Sequence, residues 1–271
     1  MLYFVPTPIG NLGDMTLRSL EVLKSCDEIW CEDTRQTQKL LNHFSIQKPL
    51  TSCHEYTQRQ KAPQLIEKLT QGRNIAYVSD AGMPGISDPG AVLAQACIIN
   101  DLPYTVLPGP SAALTAAVLS GLPLSRFTFF GFLPREGKER RAAICDLCAT
   151  GHTAIVYESP HRIRSTLQDV LQQAGDIPCA LVREVSKVHE SCLRGTITQV
   201  LAALMEEVKG ECVLLFDPPP VSAPAPTEGD LDALLVSLLA RMSLKDAVQE
   251  AAQTLSLPKK QVYARALELK E

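Results

Sequence analysis

The feature that most restricts this chain is a loop grammar repeated between Val78 and Ala113. It reads V-S-D-A-G-M-P-G-I-S-D-P-G and then, after a helix-length run, Y-T-V-L-P-G-P-S-A-A. Each half takes a short β-branched strand into a Gly/Pro/Asp turn and out into a small-residue helix. Gly82, Gly85, Gly90 and Gly109 permit positive φ and let a ligand approach bare backbone. Pro84, Pro89, Pro108 and Pro110 fix φ and stiffen the same loops. Asp88-Pro89 and Pro110-Ser111 read as helix starts, with a capping side chain or a proline in the first turn. Stiff loops after strands, with free N–H groups at helix entries, are where open α/β sheets hold small ligands. Neither loop is a standard nucleotide motif. The chain has no G-x-G-x-x-G, and Gly85-x4-Gly90 is followed by Ala91 where a P-loop needs Lys.

The same grammar extends in both directions. Leu2–Pro6 is an apolar strand ending in a third Pro/Gly loop, Pro6-Thr7-Pro8-Ile9-Gly10-Asn11. Asp27–Cys31 enters Glu32-Asp33-Thr34-Arg35, and Leu50–Cys53 enters His54-Glu55-Tyr56. Strands alternating with helices mean crossover connections and a mostly parallel sheet. After Gly121-Leu122-Pro123 the pattern changes. Phe127–Phe130 and Thr153–Tyr157 are strands, a basic helix carries Lys138, Arg140 and Arg141, and a helix follows Glu158-Ser159-Pro160-His161-Arg162. Cys179–Val185 and Ser191–Thr196 have no helix between them, which predicts an antiparallel pair. The fold class is therefore α/β: an N-terminal domain over 1–122, a second α/β domain over 123–217, a Pro-rich linker over 218–226, and a helical tail over 227–271.

Composition narrows the function classes. Of 271 residues, 45% are hydrophobic and 21% charged, which suits a globular enzyme with an ample core. A net charge of −4 gives no global attraction to nucleic acid, so an RNA contact must be a local patch. No apolar run reaches membrane-spanning length, and the opening residues enter a strand at once, which predicts a cytoplasmic chain without a signal peptide. Most of the nine cysteines sit in apolar strand or helix patterns and read as small buried hydrophobes. Cys145-x-x-Cys148 lacks a second pair for zinc, so no metal site is expected.

Taken together, the loops resemble the tetrapyrrole-methylase family of S-adenosylmethionine-dependent methyltransferases, and within it the branch that methylates ribosomal RNA. The motifs that carry the resemblance follow one another along the whole chain: P-T-P-I-G-N-L, C-E-D-T-R, S-D-A-G-M-P-G-I-S-D-P-G, L-P-G-P-S-A, F-F-G-F-L-P, Y-E-S-P-H-R, R-E-V-S-K-V-H-E, R-G-T-I and K-G-E. The resemblance implies two α/β domains with S-adenosyl-L-methionine folded into the cleft between them. It also implies a homodimer, a short leader ahead of the first strand, and 2′-O-methylation of a decoding-centre cytidine in 16S ribosomal RNA. By motif position the cofactor residues are Pro8, Asp80, Ala81, Gly82, Ile86, Ser87, Asp88, Ser111, Ala112, Phe130, Gly131, Phe132, Tyr157 and Glu158. Tyr157, Glu158 and the stretch Ala180–Arg183 would close over the adenine.

A ribose hydroxyl is a poor nucleophile until it loses its proton, so a base is expected near the cleft. Candidates are Glu32 and Asp33, with His54, Glu55 and the Lys187–Glu190 segment behind them. Asp33 would accept the proton or orient the ribose, and Lys187 would stabilise a developing alkoxide. Carboxylates at Glu32-Asp33 also suit a plain helix N-terminus, where the dipole favours negative charge. For RNA, Arg35, His161 and Arg162 are candidate phosphate contacts. In the tail, Ala247, Val248, Ala251, Leu255, Val262 and Ala266 are spaced to pack two helices, a helix-turn-helix pattern with Lys259, Lys260 and Arg265 on the second. A helical hairpin with no RNA contact fits that spacing equally well.

Overall fold

The structure, a computed structural model, describes residues 1–220, 227–255 and 257–269. They fall into two compact units, residues 1–220 and the tail. Residues 221–226 of the expected linker and Ser256 of the expected tail turn lie outside the described residues.

In the first lobe the order is β1 (Leu2–Phe4), α1 (Leu17–Ser25), β2 (Glu28–Cys31), α2 (Thr34–His43), β3 (Leu50–Ser52) and α3 (Gln58–Thr70), then β4 (Ile75–Val78), α4 (Ala91–Ile99), β5 (Tyr104–Val106) and α5 (Ala112–Ser120). The strands form a parallel sheet ordered β3-β2-β4-β1-β5. Strands β2 and β4 are buried along their whole length, as a parallel sheet covered on both faces requires. One face packs Val5, Ile29, Cys31, Ala76 and Val78 under α1 and α2, and the other packs Leu2, Phe4, Trp30, Ile75 and Tyr77 under α3 and α4. Because β1 lies between β4 and β5, the three Gly/Pro loops leave adjacent strands at one edge of the sheet. Thr7 and Gly82 tie two of them together by reciprocal N–H···O bonds of 3.0 Å.

The second lobe runs β6 (Phe127–Phe132), α6 (Gly137–Cys148), β7 (Thr153–Glu158), α7 (Ile163–Ala174), β8 (Pro178–Arg183), β9 (Ser191–Thr196), α8 (Ile197–Ala203) and β10 (Cys212–Phe216). Its sheet is mixed and ordered β6-β7-β10-β8-β9, with only β6–β7 parallel and the expected β8–β9 antiparallel pair at the far edge. Helix α5 follows β5 in sequence, yet its Ala113, Ala116 and Ala117 pack on Ile155, Ala180, Val182, Val213 and Leu215 of the second sheet. Small side chains on that face let the helix lie close, and the lobes meet across it.

Two local readings change. Helix α4 starts at Ala91 behind Gly90 (φ 142°), not at Asp88-Pro89. The Gly90 N–H is taken by the Gln58 side chain at 3.1 Å, so the loop stays non-helical for two residues more. Gly109 does not hold positive φ; it is needed because a Cβ there would lie 2.7 Å from Pro6 Cβ. Ser111 does cap α5, accepting from Leu114 N–H.

The tail is a three-helix unit of α9 (Glu228–Leu239), α10 (Leu244–Thr254) and α11 (Lys259–Glu268). Its core holds Leu231, Leu235, Ala247, Val248, Ala251, Val262 and Ala266, with Leu255 packed against it. Capping is strong: Thr227 and Asp230 form a capping box, and Ser243 accepts from Asp246 N–H.

Candidate active site

A cleft of about 410 Å³ opens between the two lobes at the C-terminal ends of the first sheet's strands. The long loop after β4 supplies Ala81, Gly82, Met83, Ile86, Ser87 and Asp88, the start of α5 supplies Ser111 and Ala112, and the second lobe supplies Phe132, Tyr157 and Glu158. Most of the cofactor residues expected from the sequence are thus brought to one cavity. Pro8 and Asp80 line a smaller hollow beside Thr37 and Leu40 instead. Phe130 packs into the second lobe's core. Gly131, at φ 65° beside a register shift in β6, brings its backbone against Ser87, where a Cβ would lie 3.1 Å from Ser87 Oγ.

The loop after β4 is shaped by its glycines. Gly82 sits at φ 80°, and its N–H and C=O are both taken by Thr7, so it holds the loop rather than meeting a ligand through its own amide. The N–H groups of Ser87, Asp88 and Ala112 have no protein acceptor among the described residues, and these residues line the cleft. The walls are apolar: Ile9, Ile86, Phe132, Val185 and Val213. Tyr157 is fixed between them, its ring edge-on to Phe129 and Phe132 and its hydroxyl accepting the Ala113 N–H at 3.1 Å.

The charge of the site is negative. Burial, with Glu32 and Asp80 nearby, pushes the Asp88 carboxyl up to about 6. Burial, with Asp80 next, also raises Glu32. Asp33 behaves in the opposite way. Its carboxylate caps α2 on Arg35 N–H at 2.7 Å and pairs with the Arg35 guanidinium at 2.9 Å, and Arg35 holds it down at about 2. A carboxylate held this low and paired with Arg35 is a weaker base than an ordinary aspartate. The Asp33 N–H in turn donates to Asp80 Oδ1 at 3.0 Å.

Several other expected site residues are engaged within the protein: Glu158, expected at the cofactor, Lys187, expected in catalysis, and Arg162 and Arg265, expected at RNA. Glu158 turns its carboxylate away from the cleft into the second lobe, where its side chain is fully buried. There it accepts from Ser159 N–H (2.9 Å) and Thr166 Oγ1 (2.7 Å) and pairs with Arg162 (3.2 Å). Arg162 also donates to the carbonyls of Leu133 and Pro134, which leaves it unsuited to phosphate. Arg140 is buried by the same cluster through Asp169 and Thr166. Lys187 pairs with Glu184 and Glu211 at 2.9 and 3.1 Å. Burial pulls its pKa down, but those hydrogen bonds outweigh it and hold the ammonium above its ordinary value. Arg265 pairs with Asp232 and Glu268. His161, Lys259 and Lys260 remain exposed.

The sequence reading missed the far wall, Val185 and Gly210–Val213. Gly210 (φ 85°) lets the chain pass over Glu184, where a Cβ would meet the carboxylate at 2.5 Å. The loop from Glu184 to Ser186 is itself unusual, with both residues at positive φ (52° and 65°) and Ser186 Oγ bonded to Asp14 across the lobes.

Residues 1–201 match the family model described as tetrapyrrole (corrin/porphyrin) methylases, and residues 225–270 match the RsmI C-terminal HTH domain. Among curated relatives, a protein of Synechocystis is 41% identical, covering 99% of this chain and 98% of its own. One from Bacillus subtilis is 40% identical over 97% and 92%, and one from Halalkalibacterium halodurans is 47% identical over 80% and 75%. All three are named ribosomal RNA small subunit methyltransferase I. Among solved structures, diphthine synthase aligns at TM-score 0.62 and 14% identity, covering 79% of this chain and 88% of that one. Uroporphyrin III C-methyl transferase from Thermus thermophilus aligns at 0.57 and 18%, covering 79% and 96%. At those identities the likeness is one of fold.

Proposed function

The chain belongs to the tetrapyrrole methylase family of S-adenosylmethionine-dependent methyltransferases, and from that premise we propose that it methylates small-subunit ribosomal RNA. The finer reading is the ribose 2′-oxygen of a decoding-centre cytidine in 16S RNA. The observation that carries the proposal is the full-length likeness, tail included, to relatives named for that activity. A homodimer in the cytoplasm accords with it. Among the described residues, no helix is long and apolar enough to cross a membrane.

The residues of the cleft fit the cofactor. A cation is matched by Asp88, with Glu32 and Asp80 behind it. The unpartnered N–H groups of Ser87, Asp88 and Ala112 suit a carboxylate or purine acceptor, and Tyr157, Val185 and Val213 give the cleft apolar surface for a purine. S-adenosylmethionine supplies an electrophilic methyl group on a sulfonium. The chain's part is to hold the accepting oxygen in line and to exclude water. Glu32 is the better proton acceptor of the Glu32-Asp33 pair, since its raised pKa brings it nearer neutrality. Lys187 is locked between two carboxylates and braces the far wall against Gly10. A negative cleft repels phosphate, so the RNA backbone must be held outside it. Arg135, Lys138 and Arg141 are exposed near the β6 rim and suit that task, as does His161.

Mass spectrometry of nucleosides from small-subunit ribosomal RNA, in cells with and without the gene, tests the proposal. Loss of a 2′-O-methylcytidine, restored by the purified protein with S-adenosylmethionine, is expected. An unchanged nucleoside profile would refute ribosomal RNA as substrate, and a lost base methylation would refute the ribose oxygen.

A further inference from the structure

The tail carries a groove of about 660 Å³ between α10 and α11, with Leu244 and Val248 on its floor. Its rim holds Lys245, Lys259, Lys260 and Tyr263, all exposed, the tyrosine by 47%. Among the described residues, no carboxylate lines it. Among the described residues of the tail, Glu228 and Glu250 are exposed without an ion-pair partner, but neither lines the groove. Asp232 and Glu268 share Arg265, at 2.6 and 2.7 Å. Asp230 and Asp246 are held by the hydroxyls of Thr227 and Ser243. None of the three groove lysines has an acidic partner within 4.0 Å among the described residues.

We propose that this groove binds a single-stranded segment of ribosomal RNA, its phosphates held by Lys245, Lys259 and Lys260 and one base stacked on Tyr263. The proposal rests on ribosomal RNA being the substrate. Unpartnered lysines beside an apolar floor and an exposed ring are the combination single strands require: charge follows the backbone, and an aromatic face accepts any base. The assignment moves the RNA contact off Arg265, which is occupied, and onto a residue of α10. A recognition helix acting alone would not need Lys245.

The test uses the full chain and protein-free small-subunit ribosomal RNA transcribed in vitro, with affinity measured across a salt series. The triple variant Lys245→Gln, Lys259→Gln, Lys260→Gln keeps the aliphatic stems and removes the charge. It should bind at least tenfold more weakly at low salt, and the slope of log affinity against log salt should fall by about 2, roughly 0.7 for each phosphate no longer neutralised. Tyr263→Ala should weaken binding about tenfold with the slope unchanged, and Tyr263→Phe should restore it. Circular dichroism and resistance of the tail to limited proteolysis confirm that each variant is folded.

Unchanged affinity and slope in the triple variant would overturn the proposal, as would a wild-type chain that does not bind the RNA. A loss seen on intact subunits but not on protein-free RNA would also overturn it, making the groove a protein contact. Methyl transfer by the wild-type chain to subunits, measured alongside, separates the two ideas. If transfer fails, the substrate reading falls; if transfer occurs and the triple variant binds normally, only the groove falls.

Discussion

Glu158→Gln changes no volume and removes one charge from the second lobe. In the wild-type chain Oε1 accepts from Ser159 N–H and pairs with the Arg162 guanidinium at 3.2 Å, while Oε2 accepts from Thr166 Oγ1 and lies 3.8 Å from Arg140. Every one of these neighbours is a donor. A glutamine must aim its NH2 at one pair or the other. Toward Ser159 and Arg162 it meets two N–H groups that cannot turn. Toward Thr166 it meets a hydroxyl that can rotate to accept, so that orientation is the cheaper. Breaking a buried pair costs about 3–5 kcal/mol when nothing compensates. Here Arg140 keeps Asp169 at 2.8 Å and Arg162 is 24% exposed, so about 2–3 kcal/mol is expected. With a urea slope of about 2–3 kcal/mol/M, the midpoint falls by about 1 M with the slope unchanged. A midpoint within about 0.2 M of wild type would refute the cluster as an anchor. Because the carboxylate faces away from the cleft, S-adenosylmethionine affinity should stay within about threefold, roughly 0.65 kcal/mol. A stable variant with much weaker binding would return Glu158 to direct cofactor contact.

Gly82→Val should abolish S-adenosylmethionine binding by calorimetry in a folded protein, because a β-branched residue resists φ 80° and the Thr7 bridge would be lost. Unchanged affinity would misplace the site. Glu32→Gln should slow methyl transfer at saturating substrate at least tenfold, about 1.4 kcal/mol in barrier, whereas Asp33→Asn should slow it less and mainly loosen the start of α2. The reverse order would restore Asp33 as the base. Asp88 has a folded pKa raised to about 6, so its contribution to stability is full below the unfolded value near 3.8 and is lost as pH rises through 6. Asp88→Asn should therefore raise the thermal midpoint of the ligand-free protein at pH 7.5 relative to pH 5, compared with wild type. The effect is no more than about 2 kcal/mol once solvent screening is allowed for. Equal midpoint differences at the two pH values would show that the carboxyl is not held protonated. In the wild type, affinity for the cationic cofactor should strengthen between pH 5 and 7.

The loops are legible in the sequence because β-branched strands and Gly/Pro turns have strong local causes. Ser111 capping α5 and the β8–β9 pair need no more than neighbouring residues. What escapes a sequence reading is long-range. Gly109 looks like a positive-φ glycine, but its requirement is set by Pro6, a residue on another strand's loop. Arg162 looks like a surface cation, and only the buried end of β7 makes it internal. Two signals do point inward: Glu158 and Arg162 stand four residues apart, and Arg140 falls in step with the buried Ile144 and Leu147. The far wall at Gly210–Val213 overlaps the K-G-E motif, whose residues carry no evident chemistry of their own. Nothing local reveals which face of the strand after it borders a cavity.

Helix α5 has a consequence for how the protein is made. Its alanine face leaves the ribosome with the first lobe, yet the strands that bury it, β8 and β10, are translated only later, up to Phe216. Until then the finished first sheet carries an unpaired small-residue helix, and the cleft cannot exist. Cofactor binding therefore has to wait until both lobes have been made, and a chain stopped before β10 should hold the loops of the site without being able to use them.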